Sequence, residues 1–196
     1  MSSVKDTDFG WNDLIKNLRE LSNKEITAGI QGGKTKDGSA DLVTVAAVQE
    51  FGAVITQQPR ATTVYRKTKK DGSFANNGRF VKKSKANFSS THQSAGRTIV
   101  IPERSFLRST FDEKEDEIEK KARAVVNAVI KGVAAGDALN KTGQYIEGAI
   151  KRKIRNGPFV PNSPATIKKK RSSRPLINTG HMIQSVRYDI RERSDE

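Results

Sequence analysis

Residues 28–35 read Ala28-Gly29-Ile30-Gln31-Gly32-Gly33-Lys34-Thr35, a loose form of the glycine-rich phosphate loop with Ala28 at the first glycine position. The chemistry there would be nucleotide binding, with backbone amides cradling phosphate and a lysine reaching the outer groups. That mechanism needs a helix opening at the Lys-Thr pair, so that its free N-terminal amides point at the anion. Lys36-Asp37-Gly38-Ser39 is turn chemistry instead, and no later apolar strand ends in a metal-binding aspartate. A glycine-rich hairpin connection is the better reading, and Lys34 is expected to have no nucleotide role.

The other groups that could do chemistry are few. The chain has two histidines, His92 and His181, and no cysteine. Lack of thiols excludes a disulfide scaffold, a thiol nucleophile and zinc–thiolate sites. Neither histidine has partners at the spacing of a metal site or a triad, so both read as solvent or cap residues. No catalytic, cofactor or metal residue is expected, and the protein reads as a non-enzyme.

Charge is the stronger signal. Thirty-six Lys and Arg stand against 22 Asp and Glu, for +14. Residues 57–99 hold ten basic side chains against one acidic, Asp71, and residues 151–174 hold nine against none. The rest is near neutral. Two such patches attract a polyanion or an acidic protein surface. Between 57 and 99, Tyr65, Phe74, Phe80 and Phe88 are interleaved with lysines that include Lys69, Lys70, Lys82 and Lys83. That mixture suits phosphate contact with base stacking. It equally suits an arm docking on acidic neighbours with the aromatics as anchors. Lys168-Lys169-Lys170-Arg171 resembles a nuclear-import tract, but short basic runs are common on solvated faces.

The elements that must carry these residues follow from periodicity. Trp11, Leu14, Ile15, Leu18 and Leu21 mark one face of an amphipathic helix, with Asp8 as its expected cap. Residues 25–30 alternate as a strand. Asp41 caps a helix over 42–51 that stops at Gly52. Residues 57–99, with Lys-Asp-Gly-Ser and Asn-Asn-Gly turn signals between short β-prone runs at 62–65 and 79–81, read as an extended hairpin or loop arm with too few aliphatics for its own core. A strand at 98–101 precedes Pro102, which suits the first turn of a long helix running from Phe106 to Val133. After a break at 134–136, Asp137 caps a second helix through Ile154. Ser163-Pro164 starts a short helix, Asn178 or Thr179 caps another through Ile183, and residues 185–191 alternate as a closing strand. The expected fold is α+β: one domain over 1–196, a small mixed or antiparallel sheet packed against two longer helices, and a basic arm inserted at 57–99. The opening residues lack the apolar run of a signal peptide, and the longest apolar run, 42–48, is too short to span a bilayer. A soluble protein made inside the cell is expected, with no membrane partner.

Three stretches in order go beyond composition: 45–52 (Val-Ala-Ala-Val-Gln-Glu-Phe-Gly), 101–108 (Ile-Pro-Glu-Arg-Ser-Phe-Leu-Arg) and 175–186 (Pro-Leu-Ile-Asn-Thr-Gly-His-Met-Ile-Gln-Ser-Val). Together they resemble the neck and tail-completion proteins of tailed bacteriophages, also labelled tail components or virion morphogenesis proteins. Residues 163–168 are similar to a further segment of that family. The likeness touches residues 26–190 and skips the arm. Glu103 and His181-Met182 depart from the family's commoner residues.

The resemblance implies a structural protein without catalytic residues, placed in the virion at the head–tail junction and made in the cytoplasm of a host bacterium. It implies a homo-oligomeric ring, six-fold by preference with twelve-fold as the alternative, that joins the capsid-side connector to the tail. The ring would contact connector or head-closure proteins on one side and tail-terminator or tail-tube proteins on the other, with genome DNA passing through its channel. The runner-up is a basic nucleic-acid-binding protein with no ring role; a nucleotide-dependent assembly factor resting on Lys34 comes third. Glu50-Phe51-Gly52 reads as a helix end with Phe51 as an apolar plug. Arg104 and Arg108, one turn apart on a helix start, would face the same side and fork carboxylates of a neighbouring subunit. Phe51, Arg104 and Arg108 are thus the candidate subunit contacts. Pro175, Leu176, Ile177, Thr179 and Gly180 form a structural joint. Tyr65, Phe74, Phe80, Phe88, Lys69, Lys70, Lys82 and Lys83 are the candidate docking residues of an arm that is mobile in the free subunit and ordered in the neck. An acidic protein surface is its preferred target, because a channel that gripped DNA would hinder genome ejection.

Overall fold

The computed structural model describes residues 10–35, 38–170 and 172–193. The chain divides into two compact units, one made of Met1–Gly52 with Pro102–Glu196 and the other of Ala53–Ile101. The fold is α+β.

In the larger unit, helix α1 (Trp11–Ser22) leads into strand β1 (Lys24–Ile30). The expected cap Asp8 lies outside the described residues; Gly10 occupies the N-cap position with φ 86°. Helix α2 (Leu42–Phe51) is capped by Asp41, whose carboxylate accepts from the Thr44 amide at 2.9 Å. Two long helices follow, α3 (Arg108–Ile130) and α4 (Ala135–Asn156). The short α5 (Pro164–Lys170) and α6 (His181–Gln184) then lead to strand β6 (Val186–Glu192). β1 and β6 pair antiparallel, Ile26 opposite Ile190 and Ile30 opposite Val186.

The sheet lies on α4, and α3 packs along the same helix. Gly143 makes that approach close: a Cβ there would stand 2.2 Å from the Tyr188 ring. The apolar periodicity of α4 buries Ile146, Ile150 and Ile154 in a core shared with Leu42, Ala46, Phe106, Leu176, Met182, Ile183 and Val186. A second cluster joins Val125 and Val129 of α3 to Ala135, Ala138 and Leu139 of α4, with Leu18 and Leu21 of α1, Ile26 and Ile190 packed against it.

Three helix starts differ from expectation. Pro102 lies ahead of α3, not in its first turn, because residues 104–107 form a separate connection before the helix opens at Arg108. Asp137 sits inside the first turn of α4, whose N-cap is Ala134; there its carboxylate complements the positive helix end instead of capping it. Gly180, not Asn178 or Thr179, caps α6. It adopts φ 83°, a left-handed conformation that costs glycine little, and no side chain supplies a cap bond.

The smaller unit begins and ends with a strand pair, β2 (Ala53–Gln57) against β5 (Arg97–Ile101). It therefore reaches a few residues beyond the expected arm at both ends. Inside it β3 (Arg60–Arg66) pairs with β4 (Phe88–Ser94) as a two-stranded ribbon. Residues 67–87 form its tip, with single 3-10 turns at Asn76–Gly78 and Lys83–Lys85. Residues 79–81, expected to be β-prone, are not a strand, though Val81 donates to the Tyr65 carbonyl at 2.9 Å.

Candidate functional site

Helix α2 places Leu42, Ala46 and Glu50 at successive four-residue steps, so all three lie on one face, and all three are buried. Glu50 is only 2% exposed. A buried carboxylate needs partners, since an unpaired charge away from water is costly. Glu50 finds them at the start of α3. One oxygen, Oε2, accepts from the amides of Phe106 at 2.8 Å and Leu107 at 2.9 Å. The other, Oε1, accepts from the Arg108 amide at 2.9 Å and the Ser105 hydroxyl at 2.7 Å. The N-cap residue of α3, Leu107, has no capping side chain. Glu50 therefore acts as the cap from a distant segment, meeting free amides and the positive end of the helix dipole together. Burial alone would raise its pKa, but the bonds from Leu107, Arg108, Ser105 and Phe106 outweigh it and hold the carboxyl below the usual range.

Arg104 completes the junction. It is 5% exposed. Its guanidinium donates to the Val160 carbonyl at 2.9 Å, to Gln49 Oε1 at 2.7 Å and to Asn162 Oδ1 at 3.2 Å. Its amide donates to the Gln49 carbonyl at 2.7 Å. Asn162 in turn reaches the carbonyls of Arg174 and Pro175, and Lys170 donates to the Pro175 carbonyl at 2.7 Å. Burial, with the charge of Arg104 added, pushes the Lys170 ammonium pKa down. Beyond Pro175, Leu176, Met182 and Ile183 enter the same core as Leu42 and Ala46. Residues 45–52, 101–108 and 175–186 thus meet in one place.

The candidate residues fall differently from their expected roles. Phe51 and Glu50 exchange places: Phe51, expected to plug the helix end, is 63% exposed, and the glutamate before it is buried. Arg104 and Arg108 do not share one side of a helix start, because Arg104 precedes α3 and points into the junction. Arg108 is half exposed, pairs with Glu50 at 3.4 Å and with Glu103, and lies over the Phe51 ring at 4.8 Å. Leu176 is buried as expected, whereas Ile177 and Pro175 are only partly so and Thr179 is exposed.

In the arm, Lys69, Lys70, Lys82 and Lys83 are exposed and Tyr65 is half-buried. Phe74, Phe80 and Phe88 are not separate anchors. The Arg66 guanidinium stands 4.9 Å from the Phe74 ring and 5.1 Å from the Phe80 ring, and Phe88 meets Phe74 edge to face at 5.5 Å. Lys34 forms an isolated bridge with Asp41, and the next helix opens only at Leu42. His92 Nε2 lies 2.9 Å from the Ser90 hydroxyl on the ribbon, and His181 opens α6. Among the described residues no group of three or more His, Asp or Glu could hold a metal ion, and no helix is long and apolar enough to cross a membrane.

Residue type and motif assign no role to Gln49, Ser105 or Asn162 and place Glu50 only at a helix end. For Glu50 a signal existed: it continues the buried stripe of Leu42 and Ala46 at helical spacing, where a charge demands a partner. Gln49, Ser105 and Asn162 carry no comparable sequence signal, since polar residues in loops are ordinary. No family model, curated protein or solved structure matches the chain.

Proposed function

We propose that this protein is a structural component of the phage head–tail junction, a neck or tail-completion subunit that assembles into a ring around the DNA channel. The supporting observation is the junction itself. The three stretches that carry the resemblance lie far apart in sequence, yet the Glu50 carboxylate and the Arg104 guanidinium tie the first two together, and the third packs in the same core. A ring subunit needs a joint of this kind, because closed symmetry tolerates little angular error. Phe51, exposed beside the half-exposed Arg108 stacked on it, offers an aromatic and cationic pair of the sort that dominates protein interfaces. Six subunits are the preferred number and twelve the alternative, with connector and tail proteins as axial neighbours and the virion as the site of action. The arm's unpaired charge favours the alternative, a nucleic-acid-binding protein without a ring, and a nucleotide-dependent factor finds no support around Lys34.

Electron microscopy and mass measurement on the purified chain, alone and mixed with candidate connector and tail-tube proteins, test the reading. Closed rings of uniform stoichiometry are expected. A chain that stays monomeric in every mixture would overturn it.

A further inference from the structure

The β3–β4 ribbon and its tip carry a chemistry that the junction does not use. The unit Ala53–Ile101 contains ten Lys and Arg against the single carboxylate of Asp71. That carboxylate is occupied locally, accepting from the Ser73 amide at 2.9 Å and the Ser73 hydroxyl at 2.7 Å. The salt bridges found among the described residues all lie outside this unit. Ten cations held near one another without counter-charges repel, and a polyanion relieves that repulsion.

The side chains between these cations say which polyanion. In an antiparallel pair, residues directly opposite share a face. One face of the ribbon therefore carries Arg60, Thr62, Val64 and Arg66 with Ser94, His92, Ser90 and Phe88 opposite them. Hydroxyls, an imidazole and guanidiniums line it over a run of about 20 Å, taking roughly 3.4 Å per residue. At its base Arg60 and Arg97 flank a concavity of about 550 Å³ lined also by Gln57, Gln58, Thr62 and Ser94. A protein-binding face would need an apolar centre with aromatic anchors. Here the nearby rings of Phe74 and Phe80 lie beside the Arg66 guanidinium, 4.9 and 5.1 Å from it, and do not form an apolar centre. Interfaces with nucleic acid are more polar and far more positive than those with protein, and hydroxyl and cationic side chains are the usual donors to phosphate. The rings on that face are His92, opposite Thr62, and Phe88, at the end opposite Arg66, so a run of unstacked bases would find no continuous platform there. A two-stranded ribbon does fit the major groove of a duplex.

We infer that the β3–β4 ribbon and its lysine-rich tip bind double-stranded DNA through the phosphate backbone, without reading sequence. The interaction belongs to the single chain and does not require ring assembly. Within a neck it would let the arm follow the genome without locking it, because backbone contacts of this electrostatic kind allow sliding.

Fluorescence anisotropy of the full-length protein with a labelled 24-base-pair duplex, titrated at several salt concentrations, tests this. Lys67, Lys69, Lys70, Lys82 and Lys83 are all exposed, so replacing the five with Gln leaves the fold intact. A matched variant removes the same charge elsewhere, by Gln at Arg152, Arg155, Lys168, Lys169 and Arg174, which are also exposed. With about 0.9 counterions released per phosphate contact, the arm variant should lower the salt slope by roughly 3–4. Its affinity at 100 mM salt should fall at least thirtyfold, and that of the matched variant less than threefold. No binding by the unaltered protein at 50 mM salt would overturn the inference. So would equal losses in the two variants, which would mean unlocalised attraction. Tenfold tighter binding of the corresponding single strand would overturn the duplex assignment, and equal displacement by polyglutamate would point to an acidic protein surface. Because anisotropy is read on the unassembled chain, failure here leaves the ring reading standing, and the reverse holds.

Discussion

Replacing Glu50 with Ala should damage the fold more than any other single change at the junction. The substitution removes the acceptor of three backbone amides and the Ser105 hydroxyl, all bonded at 2.7–2.9 Å. It also leaves Arg108 with the exposed Glu103 as its remaining carboxylate partner. A buried donor left without an acceptor costs about 1–3 kcal/mol, and removing one partner of a buried charge network costs about 3–5 kcal/mol. Water will reach the Arg108 side of the vacated space, so the sum of four full penalties is too large, and about 3–5 kcal/mol is expected. For a chain of this length each kcal/mol lowers Tm by about 2–4 °C, so the loss should be roughly 6–20 °C in a thermal melt. Glu50→Gln keeps the shape and one acceptor oxygen but turns an amide NH2 toward backbone N–H groups, and should fall between Ala and the unaltered protein.

The pH dependence has a definite sign. The folded Glu50 pKa is lowered, so its stabilising contribution is present above the unfolded carboxylate value, about 4.3. It is lost as pH falls through the folded value. The stability gap between the unaltered protein and Glu50→Gln should therefore be full at pH 6 and shrink on acidification. A Tm within 2 °C of the unaltered protein for Glu50→Ala at pH 7, or a gap that widens in acid, would refute the capping role.

Leu176→Ala should cost about 2–5 kcal/mol in urea unfolding, as for other packed leucines, because Leu176 is 6% exposed; the partly exposed Ile177 should cost less than half as much. Gly143→Ala should destabilise by about 1–3 kcal/mol through overpacking, since its new methyl would meet the Tyr188 ring, and an unchanged melt would show that β6 can move away. Calorimetric titration of ATP and GTP should be flat, and a sub-millimolar Kd abolished by Lys34→Ala would reinstate the phosphate-loop reading.

The long helices and the β1–β6 strands were legible because 3.6- and 2-residue periodicities are strong over α4 and β6. The helix starts were less so. At Pro102, Asp137 and Thr179 the residue types favour a helix start, but the cap of α3 arrives from Glu50, more than fifty residues earlier in the chain. Local propensity cannot register a bond of that reach. The same limit explains Arg104, which looks like a surface arginine until Gln49, Val160 and Asn162 converge on it. In the arm, charge and turn chemistry marked the insertion and the strand at 98–101 was legible, while its pairing with 53–57 and the gathering of Phe74, Phe80 and Phe88 near Arg66 depend on contacts between distant residues. The three motifs could be read separately; the joining of the first two at the Glu50 carboxylate and the packing of the third in the same core could not.

The proposed ring at the head–tail junction is tested most directly by cryo-electron microscopy of purified particles, with antibody labelling against the chain. A closed ring of density between connector and tail, into which the junction around Glu50 and Arg104 fits and which labels specifically, is the expected result. Particles that lack the chain, or carry its label on the capsid or tail tip alone, would contradict it.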